Sequence, residues 1–196
     1  MYIVFEGIDG AGKSTQIQLL KEWLEKLGYD VETIVEPTDG EVGKLIRKIL
    51  LKKTASSDTV QKELGLLFAA DRLELLNKIS QFEYSNTILI SDRSFYSSLA
   101  YQEPQSWIAE INKFAKVPDL VLLIDLDVNL SVSRTDKQDT FENEEFLTIT
   151  REKYLKIASE NSNFKIINGN NGKNKVSSDI KKVVASLIGV CASQIQ

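Results

Sequence analysis

Nine consecutive residues, Gly7-Ile8-Asp9-Gly10-Ala11-Gly12-Lys13-Ser14-Thr15, fit the pattern G-x-x-x-x-G-K-[ST]. That spacing suits one task, the cradling of a polyphosphate. A glycine-rich loop opening a helix turns successive backbone N–H groups toward an anion, and the helix dipole favours its charge. Lys13 is placed to reach the outer phosphates, and the Ser14 hydroxyl to ligate Mg²⁺. Gly7 to Thr15 are therefore the candidate residues for binding a nucleoside triphosphate, with Ser14 as metal ligand and Lys13 as catalytic cation. A glycine-rich turn matches such a pattern by chance, so the flanks must decide. Tyr2-Ile3-Val4-Phe5 ahead of it is short enough for one buried strand, and Ile17, Leu19, Leu20, Trp23, Leu24 and Leu27 behind it recur at helical spacing. The motif sits between a strand and a helix, as its mechanism requires.

A second group of chemistry-bearing residues follows another apolar run. Thr87-Ile88-Leu89-Ile90 ends at Ser91-Asp92-Arg93. Asp92 stands where a carboxylate holds a metal or its water shell, and Arg93 where a cation meets phosphate oxygens. Arg47, Arg72, Arg134 and Lys137 add positive charge from neighbouring segments. Each alone reads equally well as a surface ion pair. Phosphoryl transfer is driven mainly by positioning and by charge on the equatorial oxygens, so it needs no base as strong as histidine. The chain contains no histidine, which removes imidazole triads, imidazole metal sites and histidine acid–base catalysis.

The elements that must position these residues alternate. The spacing predicts a helix over about 13–27 capped by Gly28, a strand over 31–35, and a stop at Glu36-Pro37-Thr38-Asp39-Gly40. Helical spacing returns at 42–50 and over a long helix at about 59–79. After the 87–90 strand come short helical patches near 94–102 and 105–115, then the most apolar strand, Leu120-Val121-Leu122-Leu123-Ile124, ending at Asp125. Leu130 and Val132 begin a helix, 146–157 is helical, 164–167 is a last strand, and 176–188 is a closing amphipathic helix. Strands read as apolar runs rather than alternating ones, the mark of a parallel sheet covered on both faces. The expectation is an α/β fold, a doubly wound parallel five-stranded sheet with helices on both faces, in one domain over 1–196. Ligands of such sheets collect at the C-terminal strand edges, where Glu6, Glu36, Asp92, Arg93, Asp125 and Asn168 fall.

Composition narrows the class. Hydrophobic residues make up 42% and charged residues 27%, with a net charge of −4, an ordinary globule with no surface built to coat nucleic acid. The single cysteine, Cys191, excludes an internal disulfide framework and fits a reducing compartment. No apolar run approaches the ~20 residues of a membrane span, and the first residues lack a basic n-region or cleavage site. A cytoplasmic location is the expectation.

Several segments together resemble the thymidylate (dTMP) kinase family of P-loop nucleoside monophosphate kinases. They are Phe5 through Thr15; Glu36-Pro37-Thr38 followed by Ile46-Arg47-Lys48-Ile49-Leu50; Leu66 through Arg72; and Asp92-Arg93-Ser94-Phe95-Tyr96-Ser97-Ser98-Leu99-Ala100-Tyr101-Gln102. Pro118-Asp119-Leu120 through Asp127, then Phe141-Glu142 with Phe146-Leu147 and Tyr154-Leu155, continue the likeness in the same order. The resemblance implies transfer of the ATP γ-phosphoryl group to dTMP with Mg²⁺, a homodimer, and a short lid at about 134–142. It implies that Phe68 and Arg72, four apart on one helix face, stack on and donate to a pyrimidine. Ser98, Tyr101 and Gln102 would contact base and deoxyribose, with Tyr101 crowding the 2′ position. Asp9 would take the acceptor 3′-hydroxyl, Arg47 and Arg93 its phosphate, Glu36 and Pro37 would border the acceptor, and Arg134 would stack on adenine.

The chain departs from the family in places. Some members carry an arginine inside the phosphate loop, where this chain has Gly10-Ala11, and others carry several in the lid. Here Lys137 is the only cation of the 134–140 stretch besides Arg134, which makes it the candidate mobile charge for the transition state. Rival readings are a kinase for another pyrimidine nucleotide or a deoxynucleoside, a guanine-nucleotide switch, and a non-catalytic nucleotide-binding protein. The switch reading is weakened because Asn77-Lys78-Ile79-Ser80 and Asn112-Lys113-Phe114-Ala115 both lack the acid of Asn-Lys-x-Asp.

Overall fold

A computed structural model describes residues 1–52, 54–82, 85–134 and 144–191. Five strands, β1 (Tyr2–Glu6), β2 (Val31–Val35), β3 (Ile88–Asp92), β4 (Leu120–Asp125) and β5 (Phe164–Asn168), form one parallel sheet in the order β2-β3-β1-β4-β5. The helices are α1 (Lys13–Lys26), α2 (Glu41–Leu50), α3 (Asp58–Phe82), α4 (Phe95–Tyr101), α5 (Gln105–Ile111), α6 (Val128–Arg134), α7 (Glu144–Glu160) and α8 (Lys173–Ile188). The doubly wound α/β expectation holds.

Side-chain alternation along the central strands supplies both layers of core. Ile3 and Phe5 of β1 pack with Ile90, Leu122 and Ile124 under Ile17, Leu20 and Leu24 of α1 and Val176, Ile180 and Val184 of α8. Tyr2 and Val4 face the other way, with Leu89, Val121 and Leu123, under Leu75 and Ile79 of α3, Tyr96 of α4, and Leu147, Tyr154 and Ile157 of α7. The continuous-run rule fails at the sheet edges. In β2 and β5 only Val31, Ile34, Phe164 and Ile167 are buried, because an edge strand has a neighbour on one side only. α1 ends as expected, with Tyr29 N donating to Leu24 O at 3.1 Å and Gly28 N to Glu25 O at 3.0 Å.

Strand order reverses at β1, which lies between β3 and β4, so the loop after β1 opens into the crevice where such sheets bind ligands. A small third cluster, Ile46 and Ile49 of α2 with Leu64 of α3, joins the helices that wall one side of that crevice. A Cβ on Gly43 of α2 would stand 1.9 Å from the Thr38 carbonyl oxygen, so only glycine lets this helix press against the loop that carries Glu36 and Pro37.

Candidate active site

The phosphate loop is built as its spacing predicts. Gly7 has φ 141°, and a Cβ there would meet the Ile124 carbonyl oxygen at 2.6 Å, so the chain leaves β1 against β4 only because this residue has no side chain. Gly12, at φ 87°, is the N-cap of α1, and the first helical N–H groups that follow have no intrahelical partner. Lys13 is buried, with Nζ donating to the carbonyls of Gly7 at 3.0 Å and Ile8 at 3.2 Å. Burial, and then the Arg93 guanidinium, pull its pKa down to about 8, against the opposing pull of Asp9, Asp92 and Glu6. The exposed Ser14 hydroxyl donates to Asp92 Oδ2 at 2.8 Å, which brings the two expected metal-side groups together across α1 and β3. Arg134, exposed at the end of α6, donates to Gly10 O at 3.3 Å, and Ser131 Oγ to Asp9 O at 2.6 Å, so α6 is tied to the loop.

Beside the loop lies a cavity of about 260 Å³ lined by Asp9, Glu36, Pro37, Phe68, Arg72, Arg93, Ser98, Tyr101 and Gln102, all named from the sequence, together with Leu50, Gln61, Leu64, Ser97 and Phe146. Arg72 is the most constrained of them. Its Nε donates to Glu36 Oε2 at 2.6 Å, Nη1 to Ser98 Oγ at 3.0 Å and Asn112 Oδ1 at 2.8 Å, and Nη2 to Ser94 O at 3.1 Å. These bonds engage four of its five N–H groups, and its guanidinium lies 5.5 Å from the centre of the Phe68 ring. Burial pushes the Glu36 carboxyl up while Arg72 pulls it down. Asp71, the neighbour of Arg72 in sequence, accepts from Thr38 N at 2.8 Å and Thr38 Oγ1 at 2.6 Å, so one turn of α3 holds both ends of Glu36-Pro37-Thr38. Gln102 donates from Nε2 to Gln61 O at 3.2 Å, which leaves its buried Oε1 without a partner among the described residues.

At the rim shared by loop and cavity, Arg93 Nη2 donates to Asp9 Oδ1 and the Tyr101 hydroxyl to Asp9 Oδ2 at 3.3 Å. Arg93 sits over the Tyr101 ring, 5.3 Å from its centre. Burial opposes its charge, but Tyr101, Asp9, Tyr154 and Glu6 outweigh it and hold the guanidinium protonated. Arg47 is placed differently from the rest. It lies outside the cavity lining, with Nη1 donating to Thr38 O at 2.6 Å and Nη2 to Pro37 O, and Asp39 3.4 Å away. Lys137 and the rest of 135–143 lie outside the described residues.

Sequence reading missed Asn112, Asp71, Ser97, Gln61 and Phe146 as site residues. Asn112 caps the C-terminal end of α5, and nothing in its neighbourhood in sequence marks a partner forty residues away on α3. Asp71 and Glu6 sit inside segments already singled out, next to Arg72 and Gly7, where carboxylates at buried positions were the available signal.

The lowered Lys13 pKa has a measurable consequence. In the free protein Lys13 loses its proton as pH rises through about 8. A bound polyphosphate favours the charged form, so above that pH binding must take up a proton. The dissociation constant for ATP is expected to rise about tenfold per pH unit above about 8, and to stay flat below it down to the titration of the nucleotide. Calorimetry at pH 8.5–9 in buffers of different ionisation enthalpy checks the proton uptake. A pH-independent affinity between 7 and 9 contradicts the assignment.

Residues 5–180 match the family described as thymidylate kinase. The chain is 60% identical over 196 residues to a probable thymidylate kinase of Methanobrevibacter smithii, with all of both chains covered. It is 52% identical to one of Methanosphaera stadtmanae over 94% of this chain and 97% of that one, and 44% identical to one of Methanothermobacter thermautotrophicus over the full length of both. With a match over nearly its whole length, and with the phosphate loop and the Asp92-Arg93 strand end meeting in one crevice, the chain belongs to the thymidylate kinase family.

Proposed function

We propose that the protein transfers the γ-phosphoryl group of ATP to dTMP, giving dTDP and ADP. The observation that carries this reading is one cavity that sets the Phe68 ring and the Arg72 guanidinium opposite the Asp9, Arg93 and Tyr101 rim of the phosphate loop. Arg72 has one N–H beyond its four internal bonds, and Gln102, its amide turned by Gln61, borders the same space. A base carbonyl, which thymine and uracil carry beside their ring N–H, accepts from that donor; cytosine presents an amine in the place of that carbonyl. Phe68 stacks on the ring, and the apolar lining from Leu50 and Leu64 suits a methyl group.

Lys13 and Arg93 supply fixed positive charge on the two sides of the transferring group, and the first turn of α1 holds the donor phosphates. Asp9, engaged by Arg93 and Tyr101, is in place to accept from an acceptor hydroxyl and hold the sugar. Arg47 contributes by fixing Pro37 and Thr38, and through them Glu36, rather than by lining the cavity. Arg134 remains the candidate for the adenine face. Lys137, outside the described residues, remains the candidate cation for the transition state.

Ser14 and Asp92 fit a magnesium ion. Both offer oxygen, they meet at 2.8 Å beside the phosphate loop, and Mg²⁺ takes few protein ligands when substrate phosphates complete its shell. Bound there, it would neutralise phosphate charge. Among the described residues no helix is long and apolar enough to cross a membrane. Leu66 and Leu73, exposed seven residues apart on one face of α3, support the homodimer that the family resemblance implies.

Coupled ADP release with MgATP against dTMP, dUMP, CMP and thymidine tests the reading. dTMP should be preferred, with CMP turned over at least about a hundredfold less efficiently because its amine meets the Arg72 donor, and thymidine disfavoured because it brings no phosphate to the Arg93 guanidinium. Equal turnover of CMP would overturn it. Tyr101 gives a sharper check on the sugar. Tyr101→Phe is expected to lower dTMP turnover modestly and keep the preference for dTMP over its ribo analogue, whereas Tyr101→Ala should erode that preference. Parental ribose discrimination in the alanine variant would remove Tyr101 from the sugar wall.

A further inference from the structure

Glu6 is the last residue of β1, fully buried one position before the phosphate loop, and it does not line the cavity. Its two oxygens are nevertheless saturated by groups that flank Arg93. Oε1 accepts from Ser94 N at 2.9 Å and Ser94 Oγ at 2.8 Å. Oε2 accepts from Ser97 Oγ at 2.6 Å and from the Tyr154 hydroxyl at 2.8 Å. Ser97 Oγ in turn accepts from Arg93 Nη1 at 3.1 Å. The protons allow this. Ser97 has one hydrogen, which Glu6 takes, so the serine oxygen is left to accept from the guanidinium.

Arg93 needs such support because its backbone is unfavourable. It has φ 74°, alone in the left-handed region among the described non-glycine residues, at a cost of about 1–2 kcal/mol. The conformation is pinned on three sides. Arg93 N donates to Phe5 O at 3.0 Å, Ser91 Oγ donates to Arg93 O at 2.6 Å, and the next N–H, that of Ser94, is held by Glu6. Glu6 thus holds the main chain on one side of Arg93 and, through Ser97, the guanidinium itself. Tyr154 brings in α7, and its ring meets that of Tyr101 edge-on at 6.1 Å.

We propose that Glu6 is the positioning residue of Arg93: it touches no substrate, and through Ser94 and Ser97 it fixes the strained backbone and the aim of the guanidinium toward the transferring group, with Tyr154 keyed to the same carboxylate. The role rests on the proposed kinase activity and on Arg93 serving it. Glu6 therefore affects turnover by acting through Arg93, and its effect disappears when Arg93 is gone.

The test is a double-mutant cycle on the full chain with MgATP and dTMP, using Glu6→Gln, Tyr154→Phe and Arg93→Ala singly and with each of the first two combined with the third. Glutamine keeps the size of the side chain but cannot accept at both of its ends. Glu6→Gln is expected to lower kcat about tenfold or more, with the KM for ATP within about twofold of the parent. In the Arg93→Ala background the same change should lower kcat by less than about twofold. Tyr154→Phe should lower kcat about threefold in the parent and not at all beside Arg93→Ala. A folded Glu6→Gln protein with parental kcat, or one whose loss is the same in both backgrounds, overturns the role. If thermal melts show that Glu6→Gln does not fold, Tyr154→Phe decides, and a parental kcat or a loss undiminished beside Arg93→Ala overturns it. A parent inactive on dTMP overturns the kinase reading and this role with it, whereas an active parent with an indifferent Glu6 overturns the role alone.

Discussion

Lys13→Met is expected to lower turnover of dTMP by about a thousandfold, roughly 4 kcal/mol of transition-state stabilisation, without unfolding the protein. Lys13 is the one buried ammonium at the head of α1, and the carbonyls of Gly7 and Ile8 hold it beside the phosphate loop. Charge accumulates on the transferring group as the donor bond lengthens, so a fixed cation there counts for more in the transition state than in the ground state. Methionine fills similar volume without charge. The fold should tolerate it because Lys13 is itself at a disadvantage when folded. Its pKa falls from 10.5 to about 8, so below pH 8 the buried charge costs stability in full, and that cost is relieved as pH rises toward 10.5. Lys13→Met removes this slope. Single-turnover assays with thermal melts at pH 7 and 9 check both halves. A folded variant with parental turnover would remove Lys13 from the chemistry.

Arg72→Ala should do two kinds of damage, which can be read separately. Loss of a charged donor to the base is expected to cost on the order of 1.5–3 kcal/mol of acceptor binding, seen as a raised KM for dTMP with that for ATP little changed. The same change strands Glu36. A buried pair broken by removing one partner typically costs about 3–5 kcal/mol, or about 6–20 °C in Tm for a chain of this size. The pH dependence identifies the cause. Burial already pushes the Glu36 carboxyl above its ordinary value, and without Arg72 nothing opposes it. A carboxyl raised in the folded state contributes stability below its unfolded pKa and loses it as pH rises through the folded one. The variant should therefore be more stable near pH 5 than near pH 7. Arg72→Lys keeps a charge beside Glu36 and should recover part of the stability, yet without the guanidinium fork it should recover little of the acceptor affinity. Equal loss of dTMP and ATP binding in Arg72→Ala would contradict base reading by this residue.

What the sequence determined by itself is local. The phosphate loop, the five strands in order and the cap at Gly28 follow from periodicity and from residues whose conformational needs are satisfied within a few positions. Phe68 and Arg72 could be paired because four residues on a helix share a face. Asp92 and Ser14 could be named singly from strand-end and motif logic, but not their contact at 2.8 Å.

Only the tertiary structure decided which polar groups satisfy one another. Arg47 and Arg93 look alike in sequence, each a cation near an expected rim. Folding aims Arg93 into the cavity and spends Arg47 on the carbonyls of Pro37 and Thr38, because the close approach at Gly43 brings that loop under α2. Glu6 reads as the tail of an apolar strand, yet its four donors come from Ser94, Ser97 and Tyr154, up to 148 residues away. Asn112, without any motif, is bonded to the guanidinium of Arg72. A buried polar atom takes whichever partner the packing of distant segments brings within 3 Å, and the cost of leaving it unpaired selects that packing. Spacing along a chain carries no record of that choice.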